Sequence, residues 1–440
     1  MARKPAGRGA KSSLPSRAKR TTRQRSHHKP ARGTAPIPST SLDIRVRMYR
    51  VGFGDCFLLS LPVGGSLAHV LIDCGVHSRG DIGTMQQIVD DIAQQTDKRL
   101  ALVVATHRHQ DHISGFGRHK GEFKQFKVGE VWLPWTEDPK DLQAKQLKDK
   151  HSELARNLQQ HLQATGTRLD ASLEGRALFA VLNATGNEDA LHLLASGING
   201  GTVRYLGAGR RLKDAAGIPG LLVQVLGPPR DRKFLSRMDP PTGDRFLRLS
   251  RNGRAVSANR IEPFEKRWRV GAGVYRGLRD QKALMKMIDS STALAFALDQ
   301  VLNNTSLVTL FSYRGKSLLF PGDAQYGNWQ SWMNTPDAET VLDHIDFFKI
   351  AHHGSHNATP KSALEKMRKG FAAMISTQNR PWPSIPFEKM LDRLEEKASG
   401  VVRSDSIKVA GATNAPKGPE LHLGAGFSVG PFWCDYTLAL

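Results

Sequence analysis

Leu100-Ala101-Leu102-Val103-Val104-Ala105-Thr106-His107-Arg108-His109-Gln110-Asp111-His112 is the stretch on which the reading of this chain turns. Its six leading apolar residues read as a short buried strand, which runs straight into four ligand-type side chains. Imidazoles two positions apart in extended chain project to the same side, so His107 and His109 can reach one metal ion. Asp111 and His112 then turn back towards a second position. A lone histidine is more often a satisfied core residue, but a cluster this dense at a strand end serves no packing purpose. A mixed imidazole and carboxylate set suits Zn²⁺ first, with Mn²⁺ or Fe as alternatives.

Two later stretches have the same form. Leu318-Leu319-Phe320-Pro321-Gly322-Asp323 ends an apolar run in a glycine and a carboxylate. Phe347-Phe348-Lys349-Ile350-Ala351-His352-His353-Gly354-Ser355 ends another in paired histidines. Gly-Asp alone is an ordinary turn. Between the first cluster and His352-His353, Asp323 becomes the natural carboxylate to bridge two metals.

Working outward, residues 43–51 alternate polar and apolar side chains as a half-buried strand does. Gly52 to Asp55 breaks the pattern, 56–61 resumes as a buried strand, and Pro62 to Ser66 reads as a hairpin turn. Residues 69–75 form a third strand, and 84–97 carry helical spacing at Met85, Ile88, Val89 and Ile92. Residues 137–196 read as mostly helical and polar. Strands are predicted at 202–206, 221–226, 306–311, 317–320 and 346–351, with a helix at 325–334 and an αβ unit over 360–377. The last strands are expected near 407–410 and 425–438. Two series of strands, each followed by strands alternating with helices, imply a layered α/β sandwich.

The chain has 440 residues, 39% of them hydrophobic, and no apolar run long enough to cross a bilayer, so no membrane partner is expected. No apolar segment follows the basic N-terminus, so a cytoplasmic protein is expected. Cys56, Cys74 and Cys434 lack paired spacing, and Cys56 and Cys74, in apolar strand-like runs, read as buried thiols. The net charge is +22. Residues 1–41 contain no acid and eleven Lys or Arg, from Arg3 to Arg32, in a Pro/Ser/Gly-rich segment that cannot form a core. This tail is expected to be disordered, ahead of one domain over 42–440 that carries a basic insertion at 229–285. A polyanion tether and a plain solvated tail are both open readings of it.

The motifs resemble those of the metallo-β-lactamase superfamily, and more finely the hydrolase domain of the competence protein ComEC and its stand-alone relatives. The likeness rests on His107-x-His109-x-Asp111-His112, Val51-Gly52-Phe53-Gly54-Asp55-Cys56, Leu71-Ile72-Asp73-Cys74-Gly75, Pro321-Gly322-Asp323, and His352-His353-Gly354-Ser355. Asn303 to Val308 and Val401 to Asp405 extend it. It implies a four-layer αββα sandwich and two divalent ions. His107 and His109 would hold the first. Asp111 and His112 would hold the second, with His353 or His352 as the distal ligand and Asp323 bridging. Asp111 and Asp323 would be the catalytic carboxylates, Asp111 being placed to take a proton from water.

One feature departs from the family. The superfamily often gives the first metal a further histidine, and 221–229, where it would fall, has none. Asp231 is the nearest substitute, so one metal would be weakly bound or the site mononuclear. His119, His151, His161 and His192 read as solvated. Asp55 and Asp73 are expected to orient ligand histidines or loop amides. Asn304 would shape the loop beneath the metals or touch substrate. Lys349 and His356 flank the distal histidine, where they could meet an anionic leaving group.

Phosphodiester hydrolysis, of DNA or RNA, is the leading expectation. It follows from the basic tail, the arginines of the insertion (Arg230, Arg232, Arg237, Arg245, Arg248, Arg251 and Arg254) and the ComEC-type resemblance. Hydrolysis of a small ester, thioester, lactone or phosphate ester is the second. A degenerate fold used as a nucleic-acid-binding or scaffold protein is the third.

Overall fold

The computed structural model describes residues 43–79, 83–164, 166, 173–185, 187–246, 301–378, 385–407 and 424–440. The basic tail, residues 247–285 of the insertion and residues 408–410 lie outside these.

Two mixed sheets face one another. The first has the order β16 (Phe427–Val429), β17 (Trp433–Leu438), β1 (Ile44–Tyr49), β3 (Cys56–Val63), β4 (Ser66–Cys74), β6 (Arg99–Val104), β7 (Lys127–Pro134) and β8 (Thr202–Leu206). The second runs β15 (Gly400–Arg403), β14 (Ala372–Ile375), β13 (Phe347–Lys349), β12 (Lys316–Phe320), β11 (Val308–Tyr313), β10 (Leu222–Gly227) and β9 (Arg210–Leu212). A short ribbon pairs β2 (Gly52–Phe53) with β5 (Ser78–Arg79).

Each sheet is antiparallel in one half and parallel in the other. The parallel half of the first joins β4, β6, β7 and β8, and that of the second joins β12, β13, β14 and β15. Parallel neighbours need crossovers, and helices supply them: Met85–Thr96 and Gln110–Arg118 in the first sheet, Tyr326–Met333, Lys361–Lys366 and Glu388–Lys397 in the second.

Alternation along the strands sets the layers. Phe57, Leu59, Leu102 and Val104 meet Val223, Phe311, Leu318 and Phe347 between the sheets. Their sequence neighbours Leu58, Leu71 and Val103 pack under Ile88, Ile92, Ile113 and Phe116 of the first helical layer. Leu310, Leu319 and Phe348 pack under Trp329, Leu342, Leu364 and Leu394 of the second. This is a four-layer αββα sandwich. Burial of both faces explains why β3, β6 and β12 read as continuous apolar runs.

One local boundary moved. Pro62 belongs to β3, which runs to Val63, so the turn is only Gly64-Gly65. A strand spans Gly400–Arg403, within the Val401 to Asp405 segment of the resemblance, while the strand expected near 407–410 lies outside the described residues beyond Ile407. Residues 137–196 are mostly helical as expected, in Leu142–Ala164, Leu173–Ala184 and Glu188–Ala195. No helix among the described residues is long and apolar enough to cross a membrane.

Candidate metal centre

The parallel halves of both sheets end at the same edge of the sandwich, where ligand sites of α/β sheets form. Four chain segments emerge there. β4 delivers Asp73, the loop after β6 delivers 106–112, the loop after β12 delivers Asp323, and the turn after β13 delivers His352 and His353.

Ligand-type atoms of Asp111, His112, Asp323 and His353 all lie within 4.8 Å of one another. His112 Nε2 is 3.1 Å from Asp323 Oδ2, and His353 Nε2 is 3.1 Å from Asp111 Oδ2 and 3.5 Å from Asp323 Oδ2. The opposite nitrogens fix the tautomers. His112 Nδ1 donates to Asp73 Oδ2 at 2.7 Å, and His353 Nδ1 donates to the Ser376 carbonyl at 2.7 Å. Both Nε2 atoms are therefore turned inward, with an outer acceptor orienting each ring.

Backbone conformation does much of the aiming. Asp73 lies at φ 55°, in a bulge where the pairing slips between Cys56 and Phe57. The bulge turns its carboxylate off the sheet, and it takes the Thr106 amide and hydroxyl, each at 2.7 Å. His352 and His353 are both left-handed, at φ 45° and 52°, a conformation that costs L-residues roughly 1–2 kcal/mol each. Gly75 lets the metal loop approach closely, since a Cβ there would lie 2.4 Å from His112 N.

His107 and His109 stand beside the four-residue cluster and face each other, His107 Nε2 to His109 Nδ1 at 2.9 Å. The His107 and His112 ring centroids are 4.1 Å apart. The ring of His352 is directed elsewhere, between the amides of Asn303 (3.3 Å) and Gln325 (3.5 Å). Asp231 is exposed and caps the short helix Arg232–Leu235 by accepting from Lys233 N at 2.8 Å. It is not gathered with the cluster.

Lys349 is buried beneath the cluster. Its ammonium pairs with Asp55, donates to Gly322 O at 3.0 Å and stands 3.6 Å from Asp323 Oδ1. Its donors face inward, so it is not placed to meet a leaving group. Asp55 lies 3.7 Å from the Nδ1 atoms of both His112 and His353. His356 is half-exposed and pairs with Asp239 at 3.5 Å. Asn304 is structural: it accepts from Gln325 N at 3.0 Å and donates to the carbonyls of Leu235 and Arg237.

Electrostatics divide the site. Burial opposes charge on His112, yet Asp323, Asp73 and Asp111 raise it well above the ordinary histidine value. His353 is raised to about 10, because Asp323 and hydrogen bonds to Asp111 and Asp323 outweigh its burial. Against their own burial, Asp111 is held low by His112 and His353, and Asp323 by His112, His353 and His352. Burial depresses His107 well below the usual value and brings His109 and His352 to about 4.

Four buried carboxylates, Asp55, Asp73, Asp111 and Asp323, face one ammonium, Lys349. That leaves three negative charges for protons or cations to balance, and an unbalanced charge is costly to bury. Asp111 Oδ1 and Asp323 Oδ1 are buried with no hydrogen-bond partner among the described residues. Orphaned carboxylate oxygens beside two inward Nε2 atoms fit a divalent cation of the zinc or manganese type.

Sequence reasoning gave no bracing role to Thr106, which ties its own loop to Asp73, to Asn183 and Asn187, which hold that loop's backbone from another element, or to Asn303 and Gln325, which flank the His352 ring. The acceptor at Ser376 is a backbone carbonyl, for which side-chain identity carries no signal.

No family model matches the sequence, and no curated protein matches it. Among solved structures, the chain is similar to the metallo-beta-lactamase fold protein YhfI from Bacillus subtilis. The identity is 8% and the TM-score 0.33, over 81% of this chain and 95% of that one. It is also similar to Igni18, a metallo hydrolase from the archaeon Ignicoccus hospitalis, with 11% identity and a TM-score of 0.32 over 80% and 94% of the two chains.

Proposed function

We propose that this chain is a metal-dependent hydrolase of the metallo-β-lactamase superfamily, of the ComEC-like kind, and that its substrate is a phosphodiester. The buried cluster of Asp111, His112, Asp323 and His353 carries the reading, because its excess negative charge and inward donors suit a divalent cation. Zinc is the expected ion. When bound, such a cation supplies a Lewis acid that makes water acidic near neutral pH and stabilises developing negative charge.

The chain's own residues do the rest. Asp73 and Ser376 hold His112 and His353 in the tautomer that leaves Nε2 inward. Asp111, with one oxygen unpartnered, is placed to accept a proton from an attacking water. Lys349 keeps Asp55 and Asp323 in place. Arg230, Arg232 and Lys233 are exposed on the described part of the insertion and supply positive charge for an anionic substrate. The basic tail adds a tether for DNA or RNA. A cytoplasmic location accords with this role.

One observation favours a smaller substrate. His107, His109, Asp111, His112, Asp323 and His353 are each at most 2% exposed, which suits an ester, lactone or phosphate ester better than a wide nucleic-acid groove.

Cleavage of bis-p-nitrophenyl phosphate and of labelled DNA with Zn²⁺ or Mn²⁺ tests the reading, alongside Asp111→Ala and a chain lacking residues 1–41. Metal-dependent cleavage abolished by Asp111→Ala is the expected result. Loss of DNA cleavage alone on tail removal identifies the tether. A folded, metal-loaded chain that leaves every phosphodiester intact overturns the substrate assignment in favour of the small ester.

A further inference from the structure

The segment between β7 and β8 is far longer than a crossover needs. Its helices Leu142–Ala164 and Leu173–Ala184 share a small core of their own, in which Leu158 and Leu162 meet Leu178 and Val181. Two attachments tie this helix pair to the metal centre from different sides.

The first is to the ligand loop. Asn183 Oδ1 accepts the backbone N–H of Asp111 at 3.3 Å. Asn187, just beyond the second helix, donates to Arg108 O at 2.8 Å and to Asn183 O at 3.0 Å. Arg108, between the two histidines of the motif, pairs with Glu137 at 3.8 Å and Glu188 at 3.4 Å, outside the His/Asp cluster. Asn183, Asn187 and Arg108 are all buried. The second attachment is Leu302, which joins the helix pair's core and is followed by Asn303, whose amide meets His352.

We propose that Asn183 and Asn187 are positioning residues for the metal centre, so that seating of the helix pair and metal occupancy are coupled. The inference rests on reading the cluster as a metal centre. Asn183 and Asn187 do not touch a metal. They hold the 108–111 backbone, and with it the directions of His109, Asp111 and His112. A metal that draws these ligands together therefore favours the seated helices, and seated helices favour the metal to the same degree. The helix pair's own core is small, and beyond these attachments its first helix is seated by Ala144 and Leu147 against Trp135 and Leu235, so it is a unit able to open locally.

The test uses the full chain and Zn²⁺ alone. Asn187→Leu and Asn183→Leu remove the polar contacts at similar volume and are expected to weaken zinc binding roughly 10–100-fold in chelator competition. Asn183→Asp keeps an acceptor for the Asp111 amide and is expected to restore affinity. In the unaltered chain, zinc is expected to slow hydrogen exchange across residues 142–164, a readout that needs neither variant nor activity. Zinc affinity unchanged in both leucine variants, or exchange in 142–164 indifferent to zinc, overturns the coupling while leaving the metal centre intact. A chain that binds no zinc overturns the metal-centre reading itself and this inference with it.

Discussion

Asp73 and His112, thirty-nine residues apart, are joined by a 2.7 Å bond from His112 Nδ1 to Asp73 Oδ2. The same carboxylate takes the Thr106 amide and hydroxyl. One side chain on β4 thus orients His112 and pins the start of the loop that carries it. Burial raises the Asp73 carboxyl and His112 works against that rise, so the pair depends on being formed as a unit. Asp73→Asn weakens the acceptor while keeping the shape. Zinc affinity is expected to fall roughly 10–100-fold, with Asp73→Ala lower still. Chelator competition measures it, and unchanged affinity in both variants would remove Asp73 from this role.

Lys349 is a buried cation between two buried anions, and removing one partner strands the other. Lys349→Met is expected to destabilise the fold by about 3–5 kcal/mol, read from urea unfolding with chelator present. A direct role at the leaving group would instead leave stability unchanged and alter only turnover.

Stability of the metal-free chain should depend on pH in both directions. His112 and His353 have raised values, so the contribution of each is complete below about 6.5; that of His353 is lost as pH rises through about 10, and that of His112 as pH rises through its own raised value. His109 and His352, lowered to about 4, act oppositely: their unfolded forms bind protons first, so stability falls as pH drops from about 6.5 towards 4. The site's contribution to the melting temperature in EDTA should therefore peak near neutrality. Saturating zinc, in taking the place of the protons on His112 and His353, should flatten the alkaline side. An alkaline decline identical with and without zinc would contradict the assignment.

Zinc held by the folded site alone would raise the melting temperature with the logarithm of its concentration. At a hundred times Kd the gain is about 2.7 kcal/mol. Differential scanning fluorimetry with and without chelator reads this directly, and Asp323→Ala should abolish most of the shift.

Gly75 tests the packing of the ligand loop without touching a ligand. A Cβ there would meet His112 N at 2.4 Å and the Asp111 carbonyl carbon at 2.5 Å, both backbone. Gly75→Ala is expected to cost about 1–3 kcal/mol and to lower zinc affinity as the loop shifts. Gly121→Ala, where an added Cβ would meet nothing within 4 Å, serves as the neutral control.

Residue order and identity alone established the layered architecture and the residues on which a metal reading rests. Periodicity reports burial, so the runs at 56–61, 100–105 and 317–320 announced strands covered on both faces. Donor chemistry is written in residue identity, so the clusters at 107–112, 323 and 352–353 stood out without coordinates. The choice between the paired histidines belongs to the folded chain. Left-handed backbone at both turns His353 towards Asp111 and Asp323 and His352 towards Asn303 and Gln325. Folding likewise makes Lys349 face inward, leaves His356 half-exposed beside Asp239, and sets Asp231 as a helix cap. The bracing of 108–111 by Asn183 and Asn187 spans more than seventy residues. Such contacts depend on side-chain direction and on which distant segments share an edge. A one-dimensional pattern of apolar and polar residues constrains neither.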